Sequence, residues 1–213
     1  QEHPEYRCVR SLGYYVLEET GERTRADERR GDLTKEDLFF PILNSETFVC
    51  CGCYMFRTEC FFKIYPERRI PDSIVGQNLQ MLLPFLYRYP CPTIPEELYR
   101  VYARPGSSSR APRTEEEEWK RCEEFQKLIG TLAEICGITD VREKRLVECA
   151  KARIRYGIEL KYGKKRKAAA DVLLMVINGG MTFREFAEKT AYIFAGKLVS
   201  EIKKRWKGEK SVK

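Results

Sequence analysis

The pattern of the chain changes at Thr114, and that change limits its fold more than any other feature. Before it, β-branched and aromatic runs of strand length alternate with turn residues. After it, apolar residues recur at helical spacing behind repeated cap signals. Thr114-Glu-Glu-Glu117 predicts a helix to about Cys136, because threonine and glutamate in this spacing satisfy each other's backbone donors. Asp140-Val-Arg-Glu143 starts a second helix, to about Tyr162. Lys164 to Ile177 reads as a third, stopped by Asn178-Gly-Gly180, and Thr182-Phe-Arg-Glu185 caps a fourth to about Trp206. Residues 203–213 read as a fraying basic tail. The expected division is an α/β part over residues 1–112 and a basic helical region over 113–213.

Charge follows the same division. Residues 1–113 balance, residues 114–141 carry net −5 and residues 142–213 carry net +12. The basic excess of the C-terminal third implies an anionic neighbour such as a membrane surface. No run of about 18 apolar residues appears, and signal-peptide grammar is missing. With nine cysteines, an odd number mostly in apolar contexts, reduced thiols and a cytoplasmic location are expected rather than a disulfide framework. The chain opens on Gln1-Glu2-His3 without a Met, and is expected to be processed or cut from something longer.

Within the first part, residues 6–17 predict a strand, Thr20-Gly21-Glu22 a turn, and Arg23 to Asp32 an exposed loop. Thr34-Lys-Glu-Asp37 resembles a capping box before a short helix at Leu38 to Leu43. Thr47 to Phe56 predicts a second strand, whose Cys, Gly and Cys let backbone or ligand approach closely. A helical turn follows at Glu59 to Tyr65, a polar loop at Pro66 to Val75, and an apolar helix from about Gln77 to Tyr87 with Pro84 inside it. Thr93 to Tyr102 reads as a strand, a turn and a short strand. Arg104-Pro-Gly-Ser-Ser-Ser-Arg110 is a loop whose amides suit an anion.

Side chains with chemistry are few. Cys50, Cys51, Cys53 and Cys60 lack the partners for a tetrahedral metal set, and strand alternation sends Cys51 and Cys53 to one face and Cys50 to the other. His3, the single histidine, reads as exposed and idle. Lys164-Lys-Arg-Lys167 has no aromatic platform or nucleic-acid signature and fits a solvated face or anionic lipid. Gln77, Asn78 and Gln80 stand at a helix start, where amides commonly cap backbone donors. Arg57 and Arg104 default to surface ion pairs.

In order and spacing, residues 1–112 resemble the second half of family 2 glycosyltransferases. Gly52, Met55 and Arg57 match that family's small-Gly-small-x-Met-x-Arg strand near the acceptor. Gly76-Gln77-Asn78-Leu79-Gln80-Met81-Leu82-Leu83-Pro84 is similar to a bacterial variant, Gly-Gln-Asn-Trp-Gln-x-Leu-Leu-Pro. Tyr102, Arg104, Gly106, Ser107 and Ser109 roughly match a segment near the donor diphosphate.

The resemblance implies an α/β fold, a partial GT-A type mixed sheet followed by an all-α tail. It implies transfer of a sugar from a nucleotide-sugar donor to a hydroxyl of a glycan or lipid-linked acceptor, with inversion, in bacterial surface polysaccharide synthesis. Gln77 and Asn78 would hold acceptor or donor sugar, Arg104 would contact the diphosphate, and Cys51, Gly52, Arg57, Gln80, Tyr102 and Ser107 would line the substrate site. A divalent metal, Mg²⁺ or Mn²⁺, belongs to the family's Asp-x-Asp half, which has no counterpart in residues 1–46. Where the family carries its carboxylate base, this chain has Gln77-Asn78, and an amide cannot take the acceptor proton. Either Asp72, the nearest carboxylate, serves as base, or the amides only orient substrate. This chain alone is therefore expected not to turn over. The structural sign of the absent half would be an incomplete sheet with an exposed apolar edge. The rival reading is a non-catalytic α/β interaction module whose basic helical tail docks on an anionic membrane surface, with no nucleic acid in either case.

Overall fold

A computed structural model describes residues 3–25, 31–104 and 112–196. The molecule is a mixed α/β protein that divides into two compact units after Ile138. The sequence boundary at residue 113 marks the start of a long helix that packs with the first unit.

In the first unit, β1 (Cys8–Leu17) is the central strand. Its parallel partner β4 (Thr93–Ala103) runs along one edge from Arg10↔Thr93 to Leu17↔Ala103. Two short antiparallel strands share the other edge. β3 (Tyr54–Phe56) pairs with Cys8 to Arg10, and β2 (Arg23–Arg25) pairs with Tyr14 to Val16. Arg23 to Arg25 is thus a strand where a loop was expected; Tyr14 holds it, with the Arg23 guanidinium 4.1 Å over its ring. β4 is one strand where a strand, turn and strand were expected. Register shifts opposite Ser11, Leu12 and Gly13 take up Pro95, Glu96 and Leu98 as extra residues. Pro95 has no N–H to give a ladder, so a bulge suits it.

The expected strand over 47–56 is also corrected. Only Tyr54–Phe56 is strand, and Cys51–Cys53 forms a 3₁₀ turn closed by the Cys53 N–H on the Cys50 carbonyl at 2.9 Å. The turn forms beneath Tyr99 of β4, whose ring fills the space a Cβ on Gly52 would need. A second correction concerns Thr34. Its N–H and hydroxyl both bond the Asp32 carboxylate, at 3.0 and 2.6 Å, making a local Asx turn. Helix α1 (Phe39–Leu43) starts instead at Leu38, with no side-chain cap.

Helices make up the rest of the first unit. α2 (Thr58–Ile64) follows β3, and α3 (Gln77–Arg88) buries Leu82, Leu83, Phe85 and Leu86, each contributing about 1.5–3 kcal/mol. Gly76 precedes α3 with φ +61°, where a Cβ would lie 2.8 Å from Leu128 and 3.1 Å from Phe125. Both belong to α4 (Glu115–Cys136), which begins with the expected capping box between Thr114 and Glu117.

The second unit comprises α5 (Val141–Lys161), α6 (Lys165–Ile177) and α7 (Phe183–Ala195). Asp140 and Thr182 cap α5 and α7 through the N–H groups of Glu143 and Glu185. α6 ends in a Schellman motif, with Gly180 N–H on Met175 O, Gly179 N–H on Val176 O, and Gly179 at φ +72°. Cys149, Ala152, Tyr156, Val172, Met175 and Ile193 form its core. α7 stops at Ala195, before Gly196, short of the expected end near Trp206; residues 197–213 lie outside the described residues. No described helix is long and apolar enough to cross a membrane.

Candidate active site

β3 runs antiparallel to β1, so the Cys51–Cys53 turn that precedes it lies toward the carboxyl half of the parallel β1/β4 pair. In open α/β sheets that is the end where ligands bind. The start of α3 meets the turn there: the Cys51 thiol donates to the Asn78 carbonyl at 3.9 Å. Cys51, Gly52, Gln77 and Asn78 are therefore brought together. The Gln77 side chain is exposed and donates to the Ile74 carbonyl at 3.2 Å, and Asp72 stands exposed in the preceding loop.

Gln80 sits elsewhere. It is 3% exposed, and its amide nitrogen donates to the carbonyls of Ser73 and Val75, at 2.8 and 2.7 Å. Both amide hydrogens are thus committed to holding the loop that carries Asp72. The Gln80 backbone carbonyl has lost its helical donor, because residue 84 is proline. The Tyr65 hydroxyl replaces it at 2.6 Å.

Arg57 lies at the other end of β3. Its guanidinium donates to the carbonyls of Tyr6 and Pro4, at 3.1 and 3.3 Å, and forms no ion pair among the described residues. It lines a cleft of about 620 Å³ with His3, Tyr6, Met55, Thr93 and Ile94. His3 is exposed and bonds Glu5 at 2.9 Å. Tyr102 and Arg104 mark the carboxyl end of β4. The Tyr102 hydroxyl accepts from Arg100 at 3.2 Å, and Arg104 pairs with Glu18 at 3.0 Å in an exposed ion pair. Gly106, Ser107 and Ser109 lie outside the described residues.

The environment of the turn separates its thiols. The Cys50 thiol is lowered to about 6, chiefly by a hydrogen bond from Cys53 and also by the backbone N–H groups of Gly52 and Cys53, against the cost of burial. Burial, then the Cys50 charge, pushes Cys51 up to about 11. Cys53 is raised, because its proton is held in the bond to Cys50. These relationships were missed when the segment was read as a strand, although the Cys-x-x-Cys spacing of Cys50 and Cys53 is plain in the sequence.

A second feature had no sequence signal. Arg10 is fully buried, and among the described residues it has no carboxylate partner. Its guanidinium donates to Thr93 at 2.8 Å, Thr47 at 3.1 Å and Tyr54 at 3.4 Å, and lies 4.7 Å over the Phe48 ring, with Nη2 unsatisfied. Its charge favours the ionised forms of Cys53 and Cys91.

Among the described residues, no group of three or more His, Cys, Asp or Glu side chains gathers to hold a metal ion. The divalent ion implied by the family resemblance has no ligand set there, and no chemical step is assigned to it. Neither family models, nor curated proteins, nor solved structures yield a match to the chain.

Proposed function

We propose that this chain is the acceptor-side half of a GT-A type glycosyltransferase, which moves a sugar from a nucleotide donor to a hydroxyl. One observation carries the reading. β4 pairs along one edge with β1, and its other edge is open among the described residues. Most of the strand is exposed, including Leu98, Tyr99 and Tyr102. An eleven-residue edge of this kind offers unpaired backbone groups to a further strand. A nucleotide-binding βαβ half adding its parallel strands there would complete a mixed sheet.

In this reading the acceptor lies beside the Cys51–Cys53 turn, near the exposed amide of Gln77. Asp72 is the base: an exposed carboxylate in the loop that Gln80 clamps, able to accept the acceptor hydroxyl proton. Arg104 exchanges its exposed partner Glu18 for the donor diphosphate, a cheap exchange because exposed ion pairs are worth little. Asp72→Asn and Arg104→Ala in the full gene product test these roles. The first should lower kcat at least about 100-fold, and the second should raise KM for the donor while kcat holds. Unchanged turnover in Asp72→Asn removes Asp72 from the mechanism.

A second reading keeps the same fold without catalysis. The basic helical unit, net +12 over residues 142–213, presents Leu173, Ile177, Phe183 and Phe194 to solvent. Exposed aromatics on a basic unit suit an anionic lipid surface. Salt-sensitive binding to phosphatidylserine vesicles, with no nucleotide-sugar binding by the gene product, would favour this alternative.

A further inference from the structure

We propose that Cys50 and Cys53 form a dithiol modification site, at which Cys50 attacks a low-molecular-weight disulfide and Cys53 then closes an intramolecular disulfide. The inference is independent of the sugar-transfer reading. The two residues are three apart on a 3₁₀ turn, and the Cys53 N–H bond to the Cys50 carbonyl draws the turn tight. Both cysteines line one small cavity beside the turn. Cys50 is half-buried and reachable, whereas Cys53 is 6% exposed. That asymmetry assigns the roles: the accessible sulfur meets the external reagent, and the shielded one resolves the adduct.

Three surrounding features fit. A cavity of about 30 Å³ is lined by both cysteines with Gly13, Phe48 and Val101, leaving room for the sulfurs to rotate toward each other. Gly13 is needed there, since a Cβ on it would lie 2.9 Å from the Cys53 sulfur. The charge of the buried Arg10 guanidinium partly offsets the Cys50 bond and the burial that raise Cys53. The low value of Cys50 and the high value of Cys51 then distinguish two adjacent thiols of similar exposure.

The chemistry balances. The Cys50 thiolate attacks one sulfur of R–S–S–R, the S–S bond breaks, and RS⁻ leaves and is protonated. Cys53 gives up its proton, attacks the Cys50 sulfur of the mixed disulfide and expels the second RS⁻. The protein dithiol is oxidised by two electrons, R–S–S–R is reduced to two RSH, and the two thiol protons end on the products.

The test treats the 213-residue chain with oxidised glutathione, blocks remaining thiols with N-ethylmaleimide and maps the peptides by mass spectrometry. The wild type should lose two hydrogens, carry a Cys50–Cys53 disulfide and retain no glutathione. Cys53→Ser should retain one glutathione on Cys50, and Cys50→Ser should take up none at Cys53. In the untreated protein near pH 7, iodoacetamide should alkylate Cys50 at least roughly tenfold faster than Cys51. Glutathione persisting on Cys50 in the wild type, a disulfide to another cysteine, or equal alkylation of Cys50 and Cys51 would each overturn the assignment.

Discussion

The Tyr65 hydroxyl donates to the Gln80 carbonyl at 2.6 Å, in the place where residue 84 has no N–H to offer. The bond repairs a proline inside a helix with the side chain of the residue that follows the preceding helix. It also fixes Gln80, whose own amide clamps the Ser73–Val75 loop. Tyr65→Phe should destabilise the protein by about 1–3 kcal/mol, since a buried acceptor is left unsatisfied. In a Pro84→Ala background the helix regains its own donor, and the same change should cost clearly less. A urea double-mutant cycle measures the coupling, and equal costs in both backgrounds would show that Tyr65 does not serve the Pro84 gap.

Gly52 and Tyr99 form a second pair with a definite consequence. A side chain at position 52 meets the Tyr99 ring, so Gly52→Ala should cost about 1–3 kcal/mol by overpacking. Shortening the ring in Gly52→Ala/Tyr99→Leu should recover part of that loss in thermal melts, although each single change destabilises.

The helical unit predicts a pH effect. Glu159 is 4% exposed; its carboxyl is raised above 4.5 by burial and then by the Asp171 charge, with Arg155 and Lys167 opposing. Asp171 is meanwhile bound by Arg155. In the pH window from the ordinary glutamate value up to the raised one, the folded state holds more protons than the unfolded state. Stability therefore falls as pH rises through that window and stays lower above it. Glu159→Gln should flatten the decline and raise the melting temperature at pH 7. A lower melting temperature at pH 7 would mean that Glu159 is stabilising as the carboxylate.

The cap of α7 offers a local test. Thr182→Ala removes the acceptor for the Glu185 N–H and should cost about 1 kcal/mol. Hydrogen exchange should rise first in the amides of Phe183 to Phe186, with α4 unaffected.

Legibility in the sequence followed the range of the forces involved. The starts of α4, α5 and α7 were readable because Thr114, Asp140 and Thr182 act on residues three positions away. The glycine stop after α6 was readable for the same reason. What failed depended on distant partners. Cys51 to Cys53 reads as strand until Tyr99 is placed over Gly52. Pro95 reads as a turn until β1 shows that β4 continues past it as a bulge. Arg10 reads as a polar strand residue until Thr47, Tyr54 and Thr93 close around it. Of the expected site, Cys51 meets the start of α3 through the Asn78 carbonyl, because one turn–loop–helix connection joins them. The inward turn of Gln80 answers to Ser73, Val75 and Tyr65, which no local pattern encodes.

The most direct test of the central claim is transfer of a labelled sugar from nucleotide-sugar donors, with Mg²⁺ or Mn²⁺, by the full gene product and by residues 1–213 alone. The account predicts labelled glycoside from the full product and none from the isolated chain. Transfer by the isolated chain would contradict its being an acceptor-side half, and no consumption of any nucleotide sugar by the full product would contradict the glycosyltransferase reading itself.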